Sequence, residues 1–296
     1  MRDELARRAR LGEKLGAGSL AILWSAPARV YSRDVDYEYR QDSDLLYLTG
    51  VDQPETILVL LPGSPRRSEI LFITPSNPRQ EHYVGKFLTA AEARARTGIE
   101  TVLLTTQFDQ FLTAMFNRRP FDLAVDEARI NTDHDVFFKA LDEGTARVAL
   151  RLEGTPGMNE PLSGEFAFAN RVRERLLGAR IINLAPHVHA LRQVKTPYEQ
   201  KLLSESVEIS SDAHIAGMRA ARPQRFEREV ESAIESVYLA RGAMSPGYPS
   251  IVGSGPNATT LHYSASSRQM NEGDLLLVDA AANYRGQTGI LPAPIQ

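Results

Sequence analysis

The sequence has no cysteine. That removes disulfides and thiolate metal sites, and leaves carboxylates and imidazoles as the side chains able to hold a metal. No apolar run approaches the roughly 20 residues that a membrane-spanning helix requires. Charge of one sign is not in excess: 34 Lys and Arg stand against 37 Asp and Glu, a net charge of -3. No basic patch of the kind nucleic acid demands dominates the chain. Internal repeats and low-complexity stretches are absent. The arginine-rich start lacks the apolar core of a signal sequence, and it carries Asp3, Glu4 and Glu13, which transit peptides avoid; it reads as a surface helix. No serine stands in a nucleophile elbow. Gly253-Ser254-Gly255 is too short for a phosphate loop and has no lysine. The expectation is a cytoplasmic protein with no membrane and no nucleic-acid partner.

What is present is a globular balance, 43% hydrophobic and 24% charged over 296 residues, enough for two cores. Short apolar runs predict strands over 20–25, 55–61, 69–74, 101–105, 121–126 and 147–152. Helix-like stretches lie between them at 89–97, 106–118, 133–142 and 165–177. Pro62, Gly63 and Pro65 turn the chain between the second and third runs into a hairpin. Strands mixed with helices imply an α/β layered domain. Near residue 190 the pattern changes. Thr196, Pro197 and Glu199 form a capping box with proline at the first helical position. A long helix to about Ala221 follows, then Pro223, then a second helix with Phe226, Val230, Ala233, Ile234 and Val237 on one face. A boundary is placed within 180–195, giving domains 1–185 and 186–296.

Asp279 ends the apolar run Leu275–Val278. A carboxylate there must be paired, hydrogen-bonded or metal-bound, because burying it alone is costly; capping of the next turn is the plainer alternative. His262 lies in a loop after Gly253-Ser254-Gly255-Pro256, where it either approaches a ligand or is simply a loop histidine. His187 and His189 form His-x-His, which binds a metal when carried on a strand, but motifs this short are mostly accidental. His82, His134 and His214 are isolated.

The run Tyr37-Glu38-Tyr39-Arg40-Gln41-Asp42-Ser43-Asp44-Leu45-Leu46-Tyr47-Leu48-Thr49-Gly50, with Gln53-Pro54-Glu55 after it, resembles the N-terminal signature of the aminopeptidase P (Xaa-Pro aminopeptidase) family of creatinase/prolidase-like metallopeptidases. Leu191-Arg192-Gln193-Val194-Lys195-Thr196-Pro197-Tyr198-Glu199 resembles the entry to that family's catalytic domain. The surroundings of His262 and Asp279 look like its substrate-side histidine loop and its first metal aspartate. The resemblance implies a creatinase-like α/β N-terminal domain, a mixed sheet with helices, followed by the first half of an α+β pita-bread catalytic domain. It implies two divalent metals, commonly Mn2+, held by two aspartates, a histidine and two glutamates. Their shared hydroxide would attack the bond before proline, and oxygen-plus-imidazole ligation suits manganese. It implies His262 as a catalytic residue, Asp279 as a metal ligand, peptides with proline at the second position as partners, and it allows a homo-oligomer.

The chain departs from this pattern at its tail. The family's second metal aspartate would fall at Ile290, which cannot ligate, and Gln296 precedes the remaining ligands. Deleting one base from codons for the family-like run Asp-Leu-Thr-Arg-Thr-Tyr-Pro yields Ile-Leu-Pro-Ala-Pro-Ile-Gln, which is the tail seen here. The expectation is a frameshifted, truncated form that binds metal poorly and is inactive as given. In the unshifted frame a hairpin through Tyr284-Arg285-Gly286 would set the restored aspartate across from Asp279. The alternative is a non-catalytic peptide-binding or oligomerisation module.

Overall fold

The structure is a computed structural model and describes residues 2–119, 121, 133–154, 156–162, 164–289 and 293–295. The strand expected over 121–126 lies outside the described residues except for Phe121, and so does Ile290. The chain divides between Val194 and Lys195 into two compact units. The expectation put the change at 185; the helix Ala185–Gln193 belongs with the first unit, whose core takes in Leu184, Val188 and Leu191.

The strands of the first unit are β1 (Ser19–Trp24), the small ribbon β2 (Val30–Ser32) and β3 (Val35–Asp36), β4 (Ile57–Leu60), β5 (Glu69–Ile73), β6 (Thr101–Leu104), β7 (Ala146–Leu150) and β8 (Ala179–Asn183). Six of them form one mixed sheet in the order β6-β5-β4-β1-β7-β8. The β1–β4 and β4–β5 pairs are antiparallel, the others parallel. Successive side chains of a strand point to opposite faces. Leu20, Ile22, Val59 and Phe72 therefore enter one core, and Ala21, Leu23, Leu58 and Leu71 the other.

The helices are α1 (Arg2–Leu15), α2 (Ser43–Thr49), α3 (Pro78–Val84), α4 (Ala90–Thr97), α5 (Phe108–Phe116), α6 (Asp135–Asp142), α7 (Gly164–Arg175) and α8 (Ala185–Gln193). Helices α5, α6 and α7 cover the first face, and α1, α2, α4 and α8 the second. The α1 helix corrects an expectation: it is packed, not superficial. Leu11 and Leu15 are buried in the core, and Arg8 is buried beside them. Arg8 tolerates this because its guanidinium donates to Glu69 Oε2 (3.0 Å) and to the carbonyls of Leu48 and Thr97 (both 2.8 Å).

The second unit contains α9 (Pro197–Ala220) and α10 (Glu227–Ala240), followed by β9 (Ser245–Pro246), β10 (Ile251–Ser254), β11 (Leu276–Asp279), β12 (Ala282–Tyr284), β13 (Gln287–Thr288) and β14 (Ala293–Ile295). The capping box forms: Thr196 N donates to Glu199 Oε2 at 2.8 Å, and Glu199 N to Thr196 Oγ1 at 3.2 Å. The helices approach closely at Gly217, where a Cβ would stand 2.9 Å from Ile234. Ile209, Ala213, Val230, Ile234 and Tyr238 pack against Val252, Leu276 and Val278. The expected hairpin forms as β12–β13, but it belongs to the sheet β13-β12-β9, whereas Asp279 ends β11 in the sheet β10-β11-β14. Asp279 pairs with Ile251 on β10, and β11 is flanked on its other side by β14, where Val278 pairs with Ala293; the residue expected across from Asp279 falls at 290, outside the described residues. Among the described residues no helix is long and apolar enough to cross a membrane.

Candidate functional site

Strand β11 has Leu276 and Val278 buried, with Leu277 and Asp279 half-buried on the other side. This alternation brings the Asp279 carboxylate out of the core while its backbone stays in the sheet. Asp279 Oδ1 accepts a hydrogen bond from the Tyr248 hydroxyl. Gly247 N donates to Ala281 O at 2.7 Å and so ties the Tyr248 loop to the residues just after β11. Burial, then the hydrogen bond and the charge of Asp279, push the Tyr248 hydroxyl well above its ordinary range. Tyr238 is pushed the same way by burial and by the charges of Glu235 and Asp279. Both phenols stay protonated at neutral pH, and Tyr248 acts as a donor there. Glu235 accepts from Ser250 Oγ at 2.8 Å, and buried His214 has its Nε2 3.1 Å from the carbonyl of Ala280.

His262 is exposed in the loop between β10 and β11, with φ of 54°. The loop is compact because Gly253 and Gly255 leave room for it. A Cβ on Gly253 would fall 2.7 Å from Asn257 O, and one on Gly255 2.8 Å from Asp274 Oδ1. Beneath it, the buried Glu227 carboxylate accepts from Ser254 N (2.7 Å), Ser254 Oγ (2.8 Å), Asn257 Nδ2 (3.2 Å), Tyr263 OH (2.8 Å) and Arg268 N (3.0 Å). Burial pushes its pKa up, but these donors outweigh burial and hold it below the usual carboxylate range.

The structure does not bring His187 and His189 together on a strand. They lie on α8, where residues two apart point to opposite sides. His189 Nε2 instead stands 3.2 Å from Glu153 Oε1. Sequence reasoning missed Tyr248 and Glu227. Glu227 looks like any acidic residue in a first helical turn, and its partners lie 27 to 41 positions away.

Among the described residues no three His, Asp or Glu side chains converge as a metal would require. Asp279 supplies one carboxylate, and tight divalent binding by oxygen ligands needs several. The described residues on their own do not fit a two-metal centre.

Comparison with known proteins supplies the lineage. Residues 5–123 match the family described as "Aminopeptidase P, N-terminal domain", and residues 201–290 match "Metallopeptidase family M24". The chain belongs to the aminopeptidase P family. It is 30% identical over 284 residues to an Escherichia coli Xaa-Pro aminopeptidase, an alignment that takes in 96% of this chain and 59% of the relative. Among solved structures, 99% of the chain superposes on 64% of a putative aminopeptidase P from Bacillus anthracis, at 26% identity and a TM-score of 0.84. It superposes on 62% of Escherichia coli aminopeptidase P bound to the inhibitor Pro-Leu, at 27% identity and a TM-score of 0.80. The chain thus spans about three fifths of these relatives. Its first unit is the aminopeptidase P N-terminal domain, and its second is part of the pita-bread metallopeptidase domain. Membership in a metallopeptidase family implies divalent metal cofactors.

Proposed function

We propose that the chain comes from an enzyme that releases an N-terminal residue preceding proline, with manganese as the metal, Asp279 as a ligand and His262 as the catalytic histidine beside the substrate. The observation that carries this reading is Asp279, a carboxylate at the end of a buried strand, inside the segment that matches the metallopeptidase family. The Pro-Leu inhibitor in the Escherichia coli structure supports the substrate class. The 296 residues taken alone are read as inactive, since a single carboxylate does not hold a divalent pair. Purified 1–296 with manganese is expected to release no alanine from Ala-Pro-Ala; manganese-dependent release would refute this. The lack of a converging ligand group among the described residues favours a second reading, peptide binding without cleavage. Calorimetric binding of Ala-Pro-Ala by 1–296, with the peptide recovered intact, would support it.

A further inference from the structure

The segment between β10 and β11 folds back over the start of α10. Glu227 N donates to Arg268 O and Arg228 N to Ser266 O, both at 3.0 Å, and Met270 N donates to Arg225 O at 2.9 Å. These backbone bonds hold only its far end. The near end has one backbone bond, Gly255 N to Leu275 O at 2.9 Å, and the Glu227 side chain reaches both it and the middle. Its Oε1 accepts from Ser254 and Asn257, and its Oε2 from Tyr263 and Arg268. Tyr263 directly follows His262. Both His262 and Ser266 sit at positive φ, 54° and 42°, conformations that a non-glycine residue keeps only where its surroundings impose them. Charged acceptors make the stronger hydrogen bonds, so one carboxylate that collects five donors is a strong constraint on this loop, beside the bonds from Gly255 N to Leu275 O and from Arg268 Nη1 to Ser254 Oγ (2.7 Å).

We infer that Glu227 is the positioning residue for His262: its buried carboxylate ties both ends and the middle of the 254–268 loop and thereby sets where the imidazole stands. This rests on the reading of His262 as the substrate-side histidine. A glutamine at 227 would mimic the shape but not the chemistry. It has one acceptor oxygen, while backbone N–H groups approach both carboxylate oxygens, so its NH2 must face Ser254 N or Arg268 N.

The test uses the full chain, with hydrogen exchange at the Ser254 and Arg268 amides and the ring signal of His262 in NMR. In Glu227→Gln both amides should exchange at least roughly tenfold faster, as loss of a charge-assisted hydrogen bond requires, and the His262 ring signal should shift. The amides of β1 and β7 should stay unchanged. If that variant also deprotects Val252 and Val278, the second unit has loosened as a whole, and Tyr263→Phe decides. It removes one donor and keeps the ring, and it should shift the His262 signal while Val252 and Val278 stay protected. An unshifted His262 signal in a variant whose strands stay protected overturns the inference, because a merely structural carboxylate would leave the ring alone. Ala-Pro-Ala separates the two claims. If the peptide leaves the His262 signal unmoved while the Glu227 variant still shifts it, the substrate role of His262 fails and the positioning role stands.

Discussion

Arg8 is a cation taken wholly out of water. It is tolerable because each arm of the guanidinium has its own acceptor on a different element, Glu69, Leu48 or Thr97. Arg8→Ala leaves those acceptors unpaired and should cost about 3 kcal/mol, read as a lower urea midpoint by fluorescence of the single tryptophan, Trp24. That ring packs edge-on against Phe168 and Phe108 in the first unit's core, so it reports this unit alone. His134 gives a pH signature. Burial, reinforced by Arg67 and only partly offset by Asp133, lowers it from 6.5 to about 4. The unfolded chain therefore binds a proton that the folded chain refuses. The stabilisation is fully present above pH 6.5 and is lost as pH falls from there towards 4, by up to about 3 kcal/mol. Trp24-monitored melts should show that loss, and His134→Phe should flatten that part of the profile. An unchanged slope in the variant would refute the assignment.

Helix α8 is held by its buried face, through Val188 and Leu191, and by polar ties to α2. Arg192 Nη1 donates to buried Asp44 Oδ1 at 2.6 Å, and the Tyr47 hydroxyl donates to Leu191 O at 3.2 Å. The Arg192 guanidinium also stands over the Tyr47 ring, 5.9 Å from its centroid. Asp44 and Tyr47 lie on α2, inside the motif from which the family was recognised, so part of that motif serves to anchor α8. Asp44→Ala should weaken this anchor by about 2 kcal/mol, the worth of a hydrogen bond to a charged group. Amide exchange should then rise across Ala185–Gln193 and remain unchanged in β1 and β7. Uniform exchange across all three would contradict it. Strand β8 was not legible in the sequence. Its residues are mostly half-buried at the edge of the sheet, and such an edge strand lacks the continuous apolar run that marks a strand buried on both faces.

For the whole molecule, the two units make different promises. The first has, among the described residues, a six-stranded sheet covered on both faces, and we expect it to fold alone. Limited proteolysis should leave a stable fragment ending near Val194, and even digestion across 20–119 would sink the idea. The second unit exposes Leu239, Leu261 and Leu275, which are 69%, 90% and 53% accessible. A 195–296 fragment should therefore bind an apolar-surface dye strongly. A monomeric fragment with a cooperative melt and no dye binding would contradict that.

The sequence by itself determined what rests on neighbours a few residues apart. The apolar runs of β1, β4, β5 and β7, the Pro62-Gly63 hairpin, the Thr196–Glu199 capping box and the position of Asp279 at the end of an apolar strand all follow from local hydrophobic patterning and from backbone preferences. The tertiary structure alone decided which charges are buried and what they meet. Arg8 finds acceptors 40 to 89 positions away, Glu227 finds Arg268, and Asp279 finds Tyr248. It also set His187 and His189 on opposite sides of a helix and put the β12–β13 hairpin in a different sheet from Asp279. The reason is physical: local patterns choose an element and its apolar face, but a buried polar group is satisfied only by what packing brings within about 3 Å of it.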